Sequence, residues 1–414
     1  MPLIKPLIAP FRGLRPAPGQ AESVAAPPYD VLTSDEARVR AAGKPWSFLH
    51  ISKPEIDLPV GTDPYAPQVY AKAKENLERM LAAGILQRDT APCYYVYRLS
   101  MPTDSGMHVQ TGLVAAASIA EYQTNRIRKH EFTRPDKEDD RVQQIEALNA
   151  QTGPVLMAYP PCPAADALLV QVVAGIPDSD VTATDGIRHT LWVVRDAAVI
   201  ERISAAVNGL AALYIADGHH RSAAAARVAA TRHGAGESSY FLTVIFPHHQ
   251  MRILDYNRVV KDLRGMTEEA FLEQVGKSFS ISPGDARVKP ARSGEFGLYL
   301  PGRWLRLSID PGLIHKTDPV ARLDVSLLSE FLLAPILGIE DLRRDKRIDF
   351  VGGIRGLAEL EKRVDSGEMA AAFALYPTGM EELMAVADAG DVMPPKSTWF
   401  EPKLADGLVS HLLD

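Results

Sequence analysis

Asp217-Gly218-His219-His220-Arg221 is the group in this chain best suited to chemistry. It follows a short apolar run, Ala212-Leu213-Tyr214-Ile215-Ala216, and precedes an alanine-rich stretch, Ser222 to Arg232. The apolar run predicts a buried strand. The alanine-rich stretch predicts a helix lying close on a sheet, because alanine is both small and the best helix former. The five residues between them then fall at the start of the helix, where unpaired N–H groups and the positive dipole end favour an anion. Gly218 removes a Cβ that would block close approach to the backbone. Arg221 can hold a phosphate or carboxylate through two parallel hydrogen bonds. His219 and His220 can donate hydrogen bonds or move protons near neutral pH. Asp217 suits a helix cap, a Mg²⁺ ligand or a base. A purely structural reading stands beside this one: Asp217 as N-cap, one His in the core and Arg221 in a salt bridge.

The charged run from Arg126 to Arg141 is a second group. Its Arg128, Lys137 and Arg141 could face phosphates or a substrate carboxylate, with His130, Glu131 and Asp140 beside them for substrate binding or acid–base work. The rival reading is a solvated, salt-bridged surface. Ala26-Pro27-Pro28-Tyr29-Asp30-Val31 presents Tyr29 and Asp30 on proline-stiffened backbone, as a pocket wall or as a turn. Pro247-His248-His249 reads as surface. Lys396-Ser397-Thr398 reads as part of an ordered loop held by Trp399 and Phe400. No GxxxxGK[ST], GxGxxG, GxSxG or HExxH pattern occurs, which weighs against P-loop enzymes, Rossmann dehydrogenases, serine hydrolases and zincins.

Several elements must position these groups. Residues 1–60 are rich in Pro and Gly and predict loops and short strands over a core. Val69, Ala73, Leu77, Met80 and Leu81 mark an amphipathic helix over 66–86. Cys93 to Leu99 and His108 to Ile119 read as a hairpin turned by Thr103-Asp104-Ser105-Gly106. Val142, Ile145 and Leu148 predict a helix from Asp139 that ends at Gly153-Pro154. Residues 155–160, 190–195 and 241–246 read as strands. The last third alternates: helix 325–337, a strand before Gly352-Gly353, helix 357–364, strand 372–376, then a helix opened by the capping box Thr378-x-x-Glu381. The fold class is α/β or α+β, with mixed sheets and flanking helices. Two domains are expected, 1–170 with the charged loop and 171–414 with the Asp217–Arg221 corner.

The 414 residues are 46% apolar and 23% charged, an ordinary globular composition. A formal charge of −7 argues against a protein that coats nucleic acid. Two cysteines, Cys93 and Cys162, allow neither a disulfide framework nor a zinc quartet and fit a reducing compartment. No apolar run is long enough to span a membrane, and residues 1–6 do not read as a signal peptide, so the expectation is a cytoplasmic protein.

Taken together, Pro10-Phe11-Arg12-Gly13, Pro27-Pro28-Tyr29-Asp30-Val31, His130-Glu131 with Thr133, Lys137, Asp140 and Arg141, Ile215 to Arg221, and Met393-Pro394-Pro395-Lys396-Ser397-Thr398 resemble a bacterial family known as domain of unknown function ten-fifteen. The Asp217–Arg221 piece alone resembles the phosphate-binding corner of the ParB/sulfiredoxin superfamily, and its wording is similar to that of free-serine kinases. The sulfiredoxin cysteine would fall at position 219, which is His here, so sulfinic-acid reduction is not implied. This resemblance implies a strand–turn–helix phosphate site, a nucleoside phosphate (ATP or ADP) with Mg²⁺ near Asp217, and serine or phosphoserine as the small-molecule substrate. Gly218, His219, His220 and Arg221 would hold phosphates, while Glu131 or Asp140 would take the hydroxyl proton. The expected function is therefore phosphotransfer from a nucleotide to a small hydroxylated acid, with a phosphoserine-type phosphatase and a non-enzymatic nucleotide or metabolite sensor as alternatives. A ParB-like DNA switch would need a basic helix that this chain lacks. The sequence does not set an oligomeric state and leaves a homo-oligomer open.

Overall fold

The computed structural model describes residues 6–284 and 286–414, so residues 1–5 of the 1–6 stretch read above for a signal peptide lie outside the described residues. Nine strands make one mixed sheet: β1 (Ile8–Ala9), β2 (Tyr94–Thr103), β3 (Gly106–Ser118), β4 (Ile127–Arg128), β5 (Val155–Tyr159), β6 (Ser179–Thr182), β7 (Arg188–Val194), β8 (Leu213–Asp217) and β9 (Tyr240–Pro247). Their order is β4-β8-β5-β9-β3-β2-β7-β6, with β1 on β3. The expected hairpin is β2–β3, with Tyr95 opposite Val114 and Tyr97 opposite Gly112. Its tyrosines and valines suit a pleated, buried surface. β8 runs parallel to β4 and antiparallel to β5.

Three helices matter for the site: α1 (Pro67–Ala82), α2 (Pro135–Leu148) and α3 (His219–Thr231). α3 leaves β8 and lies back on the sheet, where Ala224, Ala225, Val228 and Ala229 join a core with Leu213, Ile215, Met157, Phe241 and Ile245. Its small side chains allow the close approach expected of the alanine run. α2 packs against both α1 and α3. It starts at Pro135, four residues before the expected Asp139. Proline at the first helical position needs no hydrogen-bonded N–H, and the polar first turn hides the helix from a reading of apolar spacing. Asn149, left-handed at φ 49°, ends it.

Two compact units emerge. The first runs to Met251 and regains Pro402–Asp414; the second is Arg252–Glu401. The boundary expected at 170 falls inside the helix Pro163–Val173 of the first unit. The chain returns to the first unit through a four-stranded sheet, ordered Leu86–Arg88, Gly13–Pro16, Ser410–Leu412, Ala150–Gln151. A bridge between Ala26 and Asp406 adds a second tie.

The second unit is built on a six-stranded antiparallel sheet that includes Tyr256–Val260, Glu295–Leu300 and Ala371–Leu375. There the helix expected over 325–337 is a short α segment, Asp324–Leu328, followed by a π turn, Ser329–Leu333. The capping interaction falls one residue later than expected: Glu382 accepts from the Gly379 N–H at 2.8 Å, while Thr378 donates to the Ser397 carbonyl. Trp399–Glu401 is a strand paired with Arg252–Leu254, not a loop. Among the described residues no helix is long and apolar enough to cross a membrane.

α1 and α2 are joined by a buried hydrogen bond in which Tyr70 donates to Asp140 Oδ1 at 2.9 Å. Replacing Tyr70 with Phe leaves one acceptor of a buried carboxylate unmet and should cost about 1–3 kcal/mol. Urea unfolding should show a lower midpoint with an unchanged slope.

Candidate functional site

The site starts from a backbone fact. Gly218 sits between β8 and α3 with φ 97°, a left-handed conformation that glycine adopts freely. A Cβ at this position would lie 2.9 Å from Arg221 Nε and 3.0 Å from its Cζ. The space opened by the glycine is thus filled by the guanidinium of Arg221, rather than left clear for an anion as the sequence suggests. No side chain caps α3, so the N-cap role considered for Asp217 is not taken up. Asp217 Oδ1 accepts instead from the adjacent Gly218 N–H at 2.9 Å.

Arg221 is held on several sides. It donates to the Pro154 carbonyl, and its Nη2 lies 3.4 Å from Asp217 Oδ2 and 4.0 Å from Asp30 Oδ2. Lys403 Nζ approaches Asp217 Oδ2 at 3.8 Å from the returning terminal segment. Burial would raise the Asp217 carboxyl, but Lys403, Arg221 and His219 outweigh it and hold it down at about 2. Its side chain nevertheless keeps 39% exposure. Asp217 is an ionised carboxylate that water reaches.

Behind this corner lies a cavity of about 30 Å³, room for about two waters. Tyr29, Arg141, Gln144, Thr152, Arg221 and Asp406 contribute to its wall. The Arg141 guanidinium stacks 4.0 Å from the centre of the Tyr29 ring and binds Asp140 Oδ2 at 2.6 Å. The Tyr29 backbone N–H donates to the Asp406 carboxylate. Burial pushes Asp406 up to about 7, with Asp30 adding to the shift and Arg221 and Arg141 opposing it.

On the other side of the corner, His219 and His130 are each 2% exposed and stack edge to face with ring centres 4.5 Å apart. His219 Nε2 accepts from the His130 N–H at 3.4 Å, and its Nδ1 lies 3.5 Å from Glu131 Oε2. Burial lowers both imidazoles, His130 to about 4 and His219 further, with His130 contributing to the shift at His219. Both are neutral at physiological pH.

The structure therefore gathers Tyr29, Asp30, His130, Glu131, Asp140, Arg141 and Asp217 to Arg221 in one region of the first unit. Their individual states differ from expectation. Asp140 accepts from Tyr70 on one oxygen and from Arg141 on the other, so a substrate proton would compete with both partners. Lys137 donates to Tyr65 at 2.6 Å. Arg128 stacks over Tyr214. His220 is half-buried and accepts from the Arg134 N–H at 3.1 Å. The surface reading holds for part of the charged run, where Arg134 pairs with Asp136 and Arg227 with Glu138 and Asp139. Thr133 donates to Glu138.

Lys403 and Asp406 were missed by sequence reasoning. They follow a proline-rich tail and carry no periodicity. Asp406-Gly407 is a turn dipeptide, and that was the only local signal. Gly407 has φ 87°, and a Cβ there would overlap the Phe48 ring at 2.7 Å.

Because the folded-state pKa of Asp406 stands above its ordinary value, the fold favours the protonated form. Its contribution to stability is full below about pH 4 and is lost as pH rises through about 7. The unfolding free energy of wild type minus that of Asp406→Asn should therefore fall across that window and level off above it. Urea titrations at several pH values measure this difference, and a flat line would contradict it.

No curated protein matches the chain. Among solved structures, a free serine kinase in complex with AMP aligns with 69% of this chain and 86% of its own, at 15% identity and a TM-score of 0.35. A conserved hypothetical protein from Pyrococcus furiosus aligns with 71% and 93%, at 16% identity and a TM-score of 0.35. SbnI with a C-terminal truncation, from Staphylococcus aureus, aligns with 70% and 84%, at 11% identity and a TM-score of 0.35. These likenesses are weak. The family described as Protein of unknown function (DUF1015) matches residues 8–326. That span takes in every site residue above except Lys403 and Asp406, and the chain belongs to this family.

Proposed function

We propose that the Asp217–Arg221 corner binds the phosphates of a nucleotide, and that the protein transfers a phosphoryl group from it to a small hydroxylated acid, free serine being the first candidate. One observation carries the reading. Segments around residues 29, 141, 217–221 and 403–406 meet near a helix start without a side-chain cap, where Arg141 and Arg221 line a cavity and Arg221 and Lys403 flank an ionised, water-reached carboxylate. Phosphoryl transfer needs mainly such positioning and charge stabilisation.

In this reading Arg221 and Lys403 turn from Asp217 to the incoming phosphates, as charge-assisted bonds to phosphate replace those to the carboxylate. Asp217 offers the hard, ionised oxygens that Mg²⁺ prefers. It lies beside two cations, so Mg²⁺ fits best when it arrives with the anionic phosphates, and Asp30 lies 4.0 Å from the same Arg221 nitrogen. His220, in the first turn of α3, accepts from the Arg134 N–H and would reach the ligand by leaving that bond. Glu131, whose side chain is 49% exposed beside the neutral His219, is the better-placed acceptor for the substrate's hydroxyl proton. Arg141 and Tyr29 take the substrate carboxylate from the cavity side. Phosphoserine as donor in place of the nucleotide, with water as acceptor, would make the same site a phosphoserine-type phosphatase releasing serine and inorganic phosphate, and binding without turnover would make it a sensor.

Thermal shifts with ATP or ADP, with and without Mg²⁺ and serine, test the reading. A nucleotide at about 100 times its dissociation constant should stabilise the protein by about 2.7 kcal/mol. Lys403→Ala and Arg221→Ala should each weaken nucleotide binding at least tenfold. Unchanged affinity in both variants would rule out the phosphate role. Product analysis then separates kinase, phosphatase and sensor.

A further inference from the structure

His130 follows β4, and His219 opens α3. The fold thus brings two imidazoles together from segments far apart in sequence, and it buries both almost completely. Each has its Nδ1 sealed from solvent with no hydrogen-bond partner. An orphaned polar atom in the interior is costly, and two on rings in contact call for an explanation. Glu131 supplies a carboxylate at the same place: one ligand atom from each of His130, Glu131 and His219 lies within 4.8 Å of the other two.

We infer that His130, Glu131 and His219 form a binding site for one divalent transition-metal cation of the zinc class. Two imidazoles and a carboxylate are a donor set for zinc, cobalt or iron, whereas magnesium selects oxygen. Zinc bonds of about 2.0–2.1 Å in a tetrahedron set neighbouring donors about 3.3 Å apart. The 3.5 Å between His219 Nδ1 and Glu131 Oε2 is close to this. The His130 donor lies within 4.8 Å of the other two, so loading the site draws the His130 ring and the half-exposed Glu131 side chain inward.

The surroundings fit the same role. The Ile215 backbone carbonyl hydrogen-bonds the His130 ring, leaving the orphaned Nδ1 as the lone pair. Metal-binding histidines are commonly oriented in this way. At His219, a cation on Nδ1 places the ring proton on Nε2, so the 3.4 Å contact from the His130 amide opens. That contact is long, and its loss is minor beside a metal bond. Asp217 acts electrostatically on both rings and favours added positive charge. Three protein donors leave a fourth position open toward the exposed side of Glu131, where water or a ligand oxygen can sit. This site shares Glu131 with the proposed reaction, so cation binding and proton transfer are alternatives at that residue, but the cation site rests on the three donors and not on nucleotide binding at Asp217.

The test is a titration of chelator-treated full-length protein with Co²⁺, followed by its visible absorption, and with Zn²⁺ as competitor. One equivalent of Co²⁺ should develop a ligand-field spectrum that Zn²⁺ abolishes. Glu131→Gln, at a half-exposed position that should not disturb folding, should weaken binding at least tenfold. His130→Gln should abolish the spectrum, and Asp217→Asn should retain it. Absence of a spectrum in folded wild type would overturn the proposal. So would a spectrum unchanged in Glu131→Gln, or one lost only in Asp217→Asn.

Discussion

Arg221 folds back over a residue that has no side chain, and the local electrostatics are arranged around that contact. The guanidinium occupies the volume a Cβ at position 218 would fill. From there it reaches the Pro154 carbonyl, Asp217 and Asp30. A buried guanidinium without partners is strongly unfavourable. Asp217, Asp30, Tyr29 and Asp406 together outweigh the effect of burial and keep Arg221 firmly charged. In return, Arg221 and Lys403 keep Asp217 ionised, and Arg221 and Arg141 limit the rise at Asp406. Moving one member of this set shifts the charge state of the others.

The balance is close. Asp30, Asp140, Asp217 and Asp406 face Arg141, Arg221 and Lys403, and one carboxylate, Asp406, sits near its midpoint at neutral pH. A dianionic ligand arriving at the corner would add negative charge beside a group already poised to take up a proton. Binding and protonation at Asp406 are then linked. The neutral His130–His219 pair lies on the other side of the same helix start, in a drier setting, so two chemically different environments meet at Gly218.

Local pattern made some of this legible before any coordinates. A five-residue apolar run, an Asp-Gly turn and an alanine-rich stretch gave β8, the corner and α3, because short-range propensity and burial agree there. The charged run was harder, as its residues divide between surface and interior. A helical phase separates them: counting back from Leu148 in steps of four reaches Gln144 and Asp140, all buried on α2. The polar types at two of these positions masked the stripe. Nothing local marks Lys403 and Asp406, whose place is set by the pairing of Asp406 with Ala26. Contacts at that separation are fixed by the whole fold and leave no spacing to read. The domain division failed for the same reason, since a chain that returns to its first unit has no single boundary.

That return has a consequence for biogenesis. Domains generally form in order as a chain leaves the ribosome, the earlier one first. Here the first unit waits for residues 402–414, which are made only after the whole of the second unit. Until the strand Ser410–Leu412 pairs with Gly13–Pro16, both Gly13–Pro16 and Ala150–Gln151 present an unpaired edge, a surface on which nascent chains associate wrongly. Arg221 meanwhile lacks Asp406 among its counter-charges, and Asp217 lacks Lys403. The nascent protein thus spends the synthesis of the second unit with this corner half built, and the corner is completed only once that unit has been made.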